Sequence, residues 1–133
     1  MKYLLDTNTC IEFLHRPAST VKRRLAQVNL ADVVLCSVVK AELYHGAQKS
    51  ARMERNLTLM RDFFVSFASL PFDDAAAEVY GRIRAHLERR GETIGPNDLL
   101  IAAIALAHGV TLVTHNTEEF QRVPNLVLED WQD

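Results

Sequence analysis

Asp6, Glu42, Asp98, Asn116 and Glu119 are the side chains of this 133-residue chain whose types and surroundings suit chemistry with acids. Asp6 ends the apolar run Tyr3-Leu4-Leu5, which shows no polar alternation, as a central strand covered on both faces would. In an open α/β sheet, reactive groups gather beyond the carboxyl ends of the strands. Asp6 has that address, although Asp6 or Asn8 would equally serve as a cap for the next helix. Glu42 has Val39 and Val38 at i−3 and i−4, so either it is partly exposed or its desolvation is offset by a cation, hydrogen bonds or a metal. Asp98 falls in the first turn of an apolar helix, where the macrodipole stabilises an anion. Carboxylates a few ångströms apart repel, and without a cation at least one pKa rises. Mg²⁺ answers that need with octahedral oxygen coordination, keeping waters and holding phosphate. No paired His and Cys ligands of the zinc kind occur.

Short apolar strands and helices must bring these residues together. The pattern predicts a helix over Thr9–Leu14, closed by Arg16-Pro17. A second, capped by Ser19, runs to about Val28 with Val21, Leu25 and Val28 inward and Lys22, Arg23 and Arg24 outward. Val33–Cys36 reads as a strand. Ser37 is expected to cap a helix from Val38 to about Tyr44, ending at Gly46 or a little beyond. A long amphipathic helix follows over Ala51–Phe67, then an edge strand over Ala68–Phe72, interrupted at Pro71. Asp73-Asp74 reads as a structural cap for Ala75–Arg90. Pro96 and Asn97 mark the start of the buried helix Leu99–Ala107, which His108-Gly109 ends. Val110–Val113 and Leu126–Leu128 read as the last strands, before a polar tail with Trp131.

Strands alternating with helices imply a mostly parallel sheet with right-handed crossovers and helices on both faces. The expectation is one α/β/α domain spanning 1–133, with strand order 3-2-1-4-5 and the first strand central. Asp6, Glu42, Asp98 and the Asn116–Glu119 segment then share one rim.

Composition is ordinary for a soluble globular protein, 48% hydrophobic and 24% charged, and the length suits one domain. A formal charge of −2 gives no global attraction to polyanions, so any such contact needs local bases. Lys22-Arg23-Arg24, Lys49 with Arg52 and Arg55, and Arg89-Arg90 are the candidates. Cys10 and Cys36, each in apolar sequence, read as buried free thiols in a reducing compartment. The five histidines show no pairing pattern. The first strand starts at once, so no leader is expected, and no run reaches the roughly 20 apolar residues of a membrane span. A cytoplasmic protein is expected, without membrane contact.

Four segments together carry a resemblance: Leu4-Leu5-Asp6-Thr7-Asn8, Ser37 through Ala41-Glu42-Leu43, Ile94-Gly95-Pro96-Asn97-Asp98-Leu99-Leu100-Ile101-Ala102-Ala103, and Thr114-His115-Asn116-Thr117-Glu118-Glu119-Phe120. Their order and spacing resemble PIN-domain ribonucleases, and among them the VapC toxins of bacterial type II toxin–antitoxin modules, over essentially the whole chain. The resemblance implies a Mg²⁺-dependent endoribonuclease, with Mn²⁺ as a substitute, acting on structured RNA such as tRNA or rRNA. It implies inhibition by a cognate VapB-like antitoxin, a homodimer, higher-order toxin–antitoxin complexes, and operator DNA reached through the antitoxin.

Asp6, Glu42 and Asp98 match the family's three main acids, with Asp6 and Asp98 as metal ligands and Glu42 as a ligand or general base. Many members carry Asp where this chain has Asn116, which puts a second metal, completed by Asn116 or Glu119, in question. Thr7, Asn8, Ser37 and Thr114 are expected to support the ligands or touch phosphate, or simply to cap helices. Two rival readings stand beside this one. A non-catalytic PIN-like module would act by binding alone. An aspartate-dependent phosphatase would want an acid where Asn8 stands.

Overall fold

A computed structural model of the chain describes residues 1–132; Asp133, the last residue of the expected domain span, lies outside the described residues. Five strands form one parallel sheet in the order β3-β2-β1-β4-β5. They are β1 (Tyr3–Leu5), β2 (Val33–Cys36), β3 (Ala68–Leu70), β4 (Thr111–Val113) and β5 (Leu128–Glu129). Seven helices, α1 (Thr7–His15), α2 (Thr20–Gln27), α3 (Ser37–Lys49), α4 (Met53–Phe64), α5 (Asp74–Arg89), α6 (Pro96–His108) and α7 (Thr117–Phe120), make up the α/β/α layers.

The sheet is built around β1, whose Leu4 and Leu5 are fully buried. Leu4 stands beside Val34 on one side and Leu112 on the other, and Leu5 beside Val113. Because every pair is parallel, all carboxyl ends point to one rim. β3 is the edge strand, as Pro71 requires, and stops at Leu70 before it.

α6 is buried as its sequence foretells: Ile101, Ala102, Ala103, Ile104 and Ala105 have no exposed surface. Each large side chain so buried contributes about 1.5–3 kcal/mol. Pro96 opens this helix, and Gly109 closes it in the left-handed region at φ 63°.

Several boundaries differ from expectation, each for a local reason. α3 takes the longer of its two expected ends, running through Gly46 to Lys49, because glycine there keeps helical torsions and costs only about 1 kcal/mol. Ser50, whose hydroxyl donates to Ala47 O at 2.7 Å, ends it instead. Ser37 is the first helical residue of α3, not its cap; Cys36 holds that position without a side-chain bond. α4 is shorter than the apolar pattern suggested, since Val65 begins a turn that brings Phe67 back onto Phe63, with ring centroids 5.0 Å apart. β5 lies at Leu128–Glu129, two residues later than expected at its start. Nor is Trp131 part of a polar tail. It is 2% exposed, packs edge-on against Tyr3, and donates through Nε1 to Glu129 Oε1 at 2.8 Å. Cys10 and Cys36 are free and buried.

Candidate active site

Asp6 leaves β1 with its N–H donating to Val113 O at 3.0 Å, which fixes the carboxylate at the seam between β1 and β4. Its Oδ1 accepts from Thr9 N at 2.9 Å, so the residue does cap α1. Capping uses only part of its capacity, and the side chain is 4% exposed. Burial pushes the Asp6 carboxyl above its ordinary range, against hydrogen bonds from Thr114 and Thr9, and the nearby Glu42 charge pushes it further. Thr114 is wholly buried, and its Oγ1 also accepts from Asn116 N at 3.0 Å. One hydroxyl thereby ties Asp6 to the segment after β4.

Glu42 reaches the same rim from the second turn of α3. Its Oε1 accepts from Thr7 Oγ1 at 2.5 Å, and its Oε2 from Asn97 Nδ2 at 3.4 Å. The three residues belong to α3, α1 and α6, so the carboxylate is oriented where three helix starts converge.

Asp98, the third residue of α6, is half-buried. Its pKa is raised from 3.8 to about 6, first by burial, then by the charges of Glu119, Glu42 and Asp6. Glu119 moves the other way because it is well donated to. Gly95 N–H donates to its Oε1 at 2.7 Å and Asn116 Nδ2 to its Oε2 at 3.0 Å. Glu119 and Asp98 also hydrogen-bond each other, which favours the proton on Asp98.

The structure therefore gathers Asp6, Glu42, Asp98, Asn116 and Glu119 at one rim, with Thr7 and Thr114 bonded to the acids. Ser37 is exposed and lines the cleft beside Glu42 and Asn97. Asn8 is exposed on α1 and makes no side-chain hydrogen bond among the described residues. His115 turns away, with Nδ1 3.0 Å from Asp130 Oδ2. Thr9, Gly95 and Asn97 join the site without having been singled out in the sequence. Thr9 had a readable signal, three residues after a capping Asp; the Gly95 contact is made by backbone, which leaves no mark on residue type.

No Lys or Arg forms an ion pair with Asp6, Glu42 or Asp98 among the described residues. Nor, among them, do three acid, His or Cys groups form a cluster able to hold a metal by themselves. Two aspartates with waters suffice for Mg²⁺, which is commonly bound through one or two carboxylates plus substrate phosphate. The donors are hard oxygens, and the Asp6 and Asp98 carboxyls are raised in pKa first by burial and then by the neighbouring acid charges. This donor set fits a hard divalent cation.

Known proteins bear on that arrangement. The PIN domain family matches residues 3–126. A tRNA(fMet)-specific endonuclease VapC of Shigella flexneri is 41% identical over 131 residues, covering 98% of both chains. A DNA-bound VapBC structure from Salmonella typhimurium superposes with a TM-score of 0.93 at 38% identity, covering 98% of each chain. VapBC2 of Rickettsia felis, bound to a DNA fragment from its promoter, gives 0.91 at 38%, covering 99% of this chain and 100% of that one. With this likeness running from β1 to the last strand, the chain belongs to the PIN-domain family and, within it, to the VapC ribonucleases of toxin–antitoxin systems.

Proposed function

We propose that the protein is a divalent-metal-dependent endoribonuclease that cuts structured RNA, tRNA or rRNA, in the cytoplasm, acting as one domain. The observation that carries this reading is the acid group at the sheet rim: burial and then neighbouring acid charges raise the Asp6 and Asp98 carboxyls, Glu42 lies beside them, and no Lys or Arg pairs with any of the three among the described residues. Asp6 and Asp98 would hold Mg²⁺, or Mn²⁺ in its place; a bound ion there would supply charge stabilisation at the phosphodiester and a more acidic water. Glu42, held by Thr7 and Asn97, accepts the proton of the attacking water. Asn116 and Glu119 keep Asp98 and the Gly95 turn in place, since both Glu119 oxygens are already engaged. Attack by water leaves a 5′-phosphate and a 3′-hydroxyl.

The VapC ribonucleases among its relatives support RNA as substrate, and the tRNA(fMet) specificity of the Shigella relative makes initiator tRNA the first RNA to try. The VapBC complexes on DNA support pairing with a VapB-like antitoxin that inhibits the toxin and carries a homodimeric complex to operator DNA. No described helix is long and apolar enough to cross a membrane.

The test is cleavage of initiator tRNA by the purified chain with Mg²⁺ or with EDTA, followed by end-mapping. Metal-dependent cuts with 5′-phosphates are expected. Cuts that persist in EDTA, or that end in a 2′,3′-cyclic phosphate, would overturn the proposal.

A further inference from the structure

Two clefts of about 500 and 240 Å³ run along α3 and share Glu42 and Gly46 in their walls. The first also includes Thr7, Ser37 and Asn97; the second, walled largely by Ile11, Leu14, Leu43, Ala47 and Met60, leads to Ser50 and Asn56 at the corner between α3 and α4. Glu42 and Gly46, at i and i+4, line both clefts, and Lys49 follows at i+7 on the same helix face, outside the cleft walls and about 10 Å along the axis from Glu42. Nothing in the fold calls for a glycine at its centre. Gly46 has helical torsions, and a Cβ added there would meet no atom within 4 Å. A side chain would instead stand in the open trough.

The far end is basic. From Leu43 to Arg61 the chain carries Lys49, Arg52, Arg55 and Arg61 against the single acid Glu54, in a protein whose net charge is −2. Asn56 Nδ2 donates to Ser50 Oγ at 2.9 Å, tying the first turn of α4 to the end of α3, so Lys49, Arg52 and Arg55 stand around one corner while Arg61 lies in the last turn of α4. Lys49, Arg52 and Arg55 are exposed and form no ion pair among the described residues. The other basic runs are partly committed elsewhere, with Arg23 and Arg89 in no ion pair among the described residues. Arg24 pairs with Glu129 at 2.6 Å, Lys22 lies over the Phe13 ring, and Arg90 pairs with Glu92.

We infer that this trough seats the RNA strand on one side of the scissile bond, with Gly46 as its open floor and Lys49, Arg52 and Arg55 gripping phosphates beyond it. The inference rests on the ribonuclease reading and adds the path of the substrate. A polyanion, not a protein segment, suits a surface where unpaired cations gather against the trend of the whole molecule.

The test measures binding of a fluorescein-labelled initiator tRNA transcript to the full chain by anisotropy in EDTA, so that no cutting occurs. In Gly46→Leu the helix gains a better former, so the melting temperature holds or rises, while RNA binding weakens about tenfold or more. In Lys49→Ala/Arg52→Ala/Arg55→Ala, the slope of log affinity against log salt flattens by about 2, at roughly 0.7 per lost phosphate contact. The charge-matched Arg82→Ala/Arg89→Ala/Arg90→Ala keeps the wild-type slope. Wild-type affinity in Gly46→Leu, or equal flattening in both triple variants, overturns the inference. So does a change in mass of Gly46→Leu by light scattering, which would mark the trough as a protein interface. Failure of the wild type to cut the transcript with Mg²⁺ would instead strike the ribonuclease reading, a separate result from the same protein.

Discussion

Asn116 donates through Nδ2 to Glu119 Oε2 at 3.0 Å, while Gly95 N–H holds the other oxygen at 2.7 Å. The amide is therefore part of how Glu119 stays ionised beside Asp98. Replacing it by the carboxylate that many family members carry turns a donor into a like charge. Asn116→Asp is expected to lower the melting temperature in EDTA and to bind Mn²⁺ about tenfold more tightly by calorimetry. Unchanged values of both would mean that the amide and the carboxylate are interchangeable there.

Thr7 is the closest partner of Glu42, at 2.5 Å. Thr7→Val keeps the shape of the side chain and removes the donor, so Glu42 loses its orientation. A fall of about tenfold in kcat/KM on RNA is expected, equivalent to about 1.4 kcal/mol. Thr7→Ser, which retains the hydroxyl, should recover most of it.

Asp6→Asn and Asp98→Asn each remove a charge at the place proposed for the metal. Cleavage is expected to fall by about 10²-fold or more, the scale seen when a charge-stabilising group is lost. Circular dichroism should match the wild type, because Asn at position 6 still offers an oxygen to Thr9 N. Near-normal cleavage by either folded variant would remove that residue from the site.

Asp98 also makes stability depend on pH. Its carboxyl titrates near 6 in the folded chain against 3.8 ordinarily, so the folded state binds more protons between those values. Stability without metal therefore falls as pH rises through that window, and the loss is complete above it. In EDTA at pH 7.5, Asp98→Asn should melt higher by about 3–5 °C. That corresponds to about 1 kcal/mol, discounted because the group is partly exposed. At pH 4 the two proteins should melt together. A variant that melts lower at pH 7.5 would show the charge to be a helix-start device only.

The strand order and the shared rim were legible because short apolar runs without alternation, such as Tyr3–Leu5 and Val33–Cys36, have few other homes than a doubly covered sheet. The acids were legible for a related reason, since an ionisable residue above Val38 and Val39 or in the first turn of a buried helix is costly without a purpose. Local boundaries were harder. Gly46 looks like a stop in sequence, yet nothing in its surroundings makes it one, and Ser37 looks like a cap although Cys36 fills that position. Trp131 depended on a partner 128 residues away, Tyr3, and no local pattern announces that. Backbone donors such as Gly95 N–H carry no side-chain signature at all.

The central place of β1 also governs when the molecule can exist as an enzyme. Leu4 pairs with Leu112, and Asp6 is fixed by Val113, so β1 must wait for a strand more than a hundred residues on. Such distant closure delays folding until β4 is available. While the chain is being translated, Asp6 has neither β4 beside it nor Glu119 near it, and the acid rim does not form. The site is therefore absent until β4 and the segment after it have been made and have folded onto β1.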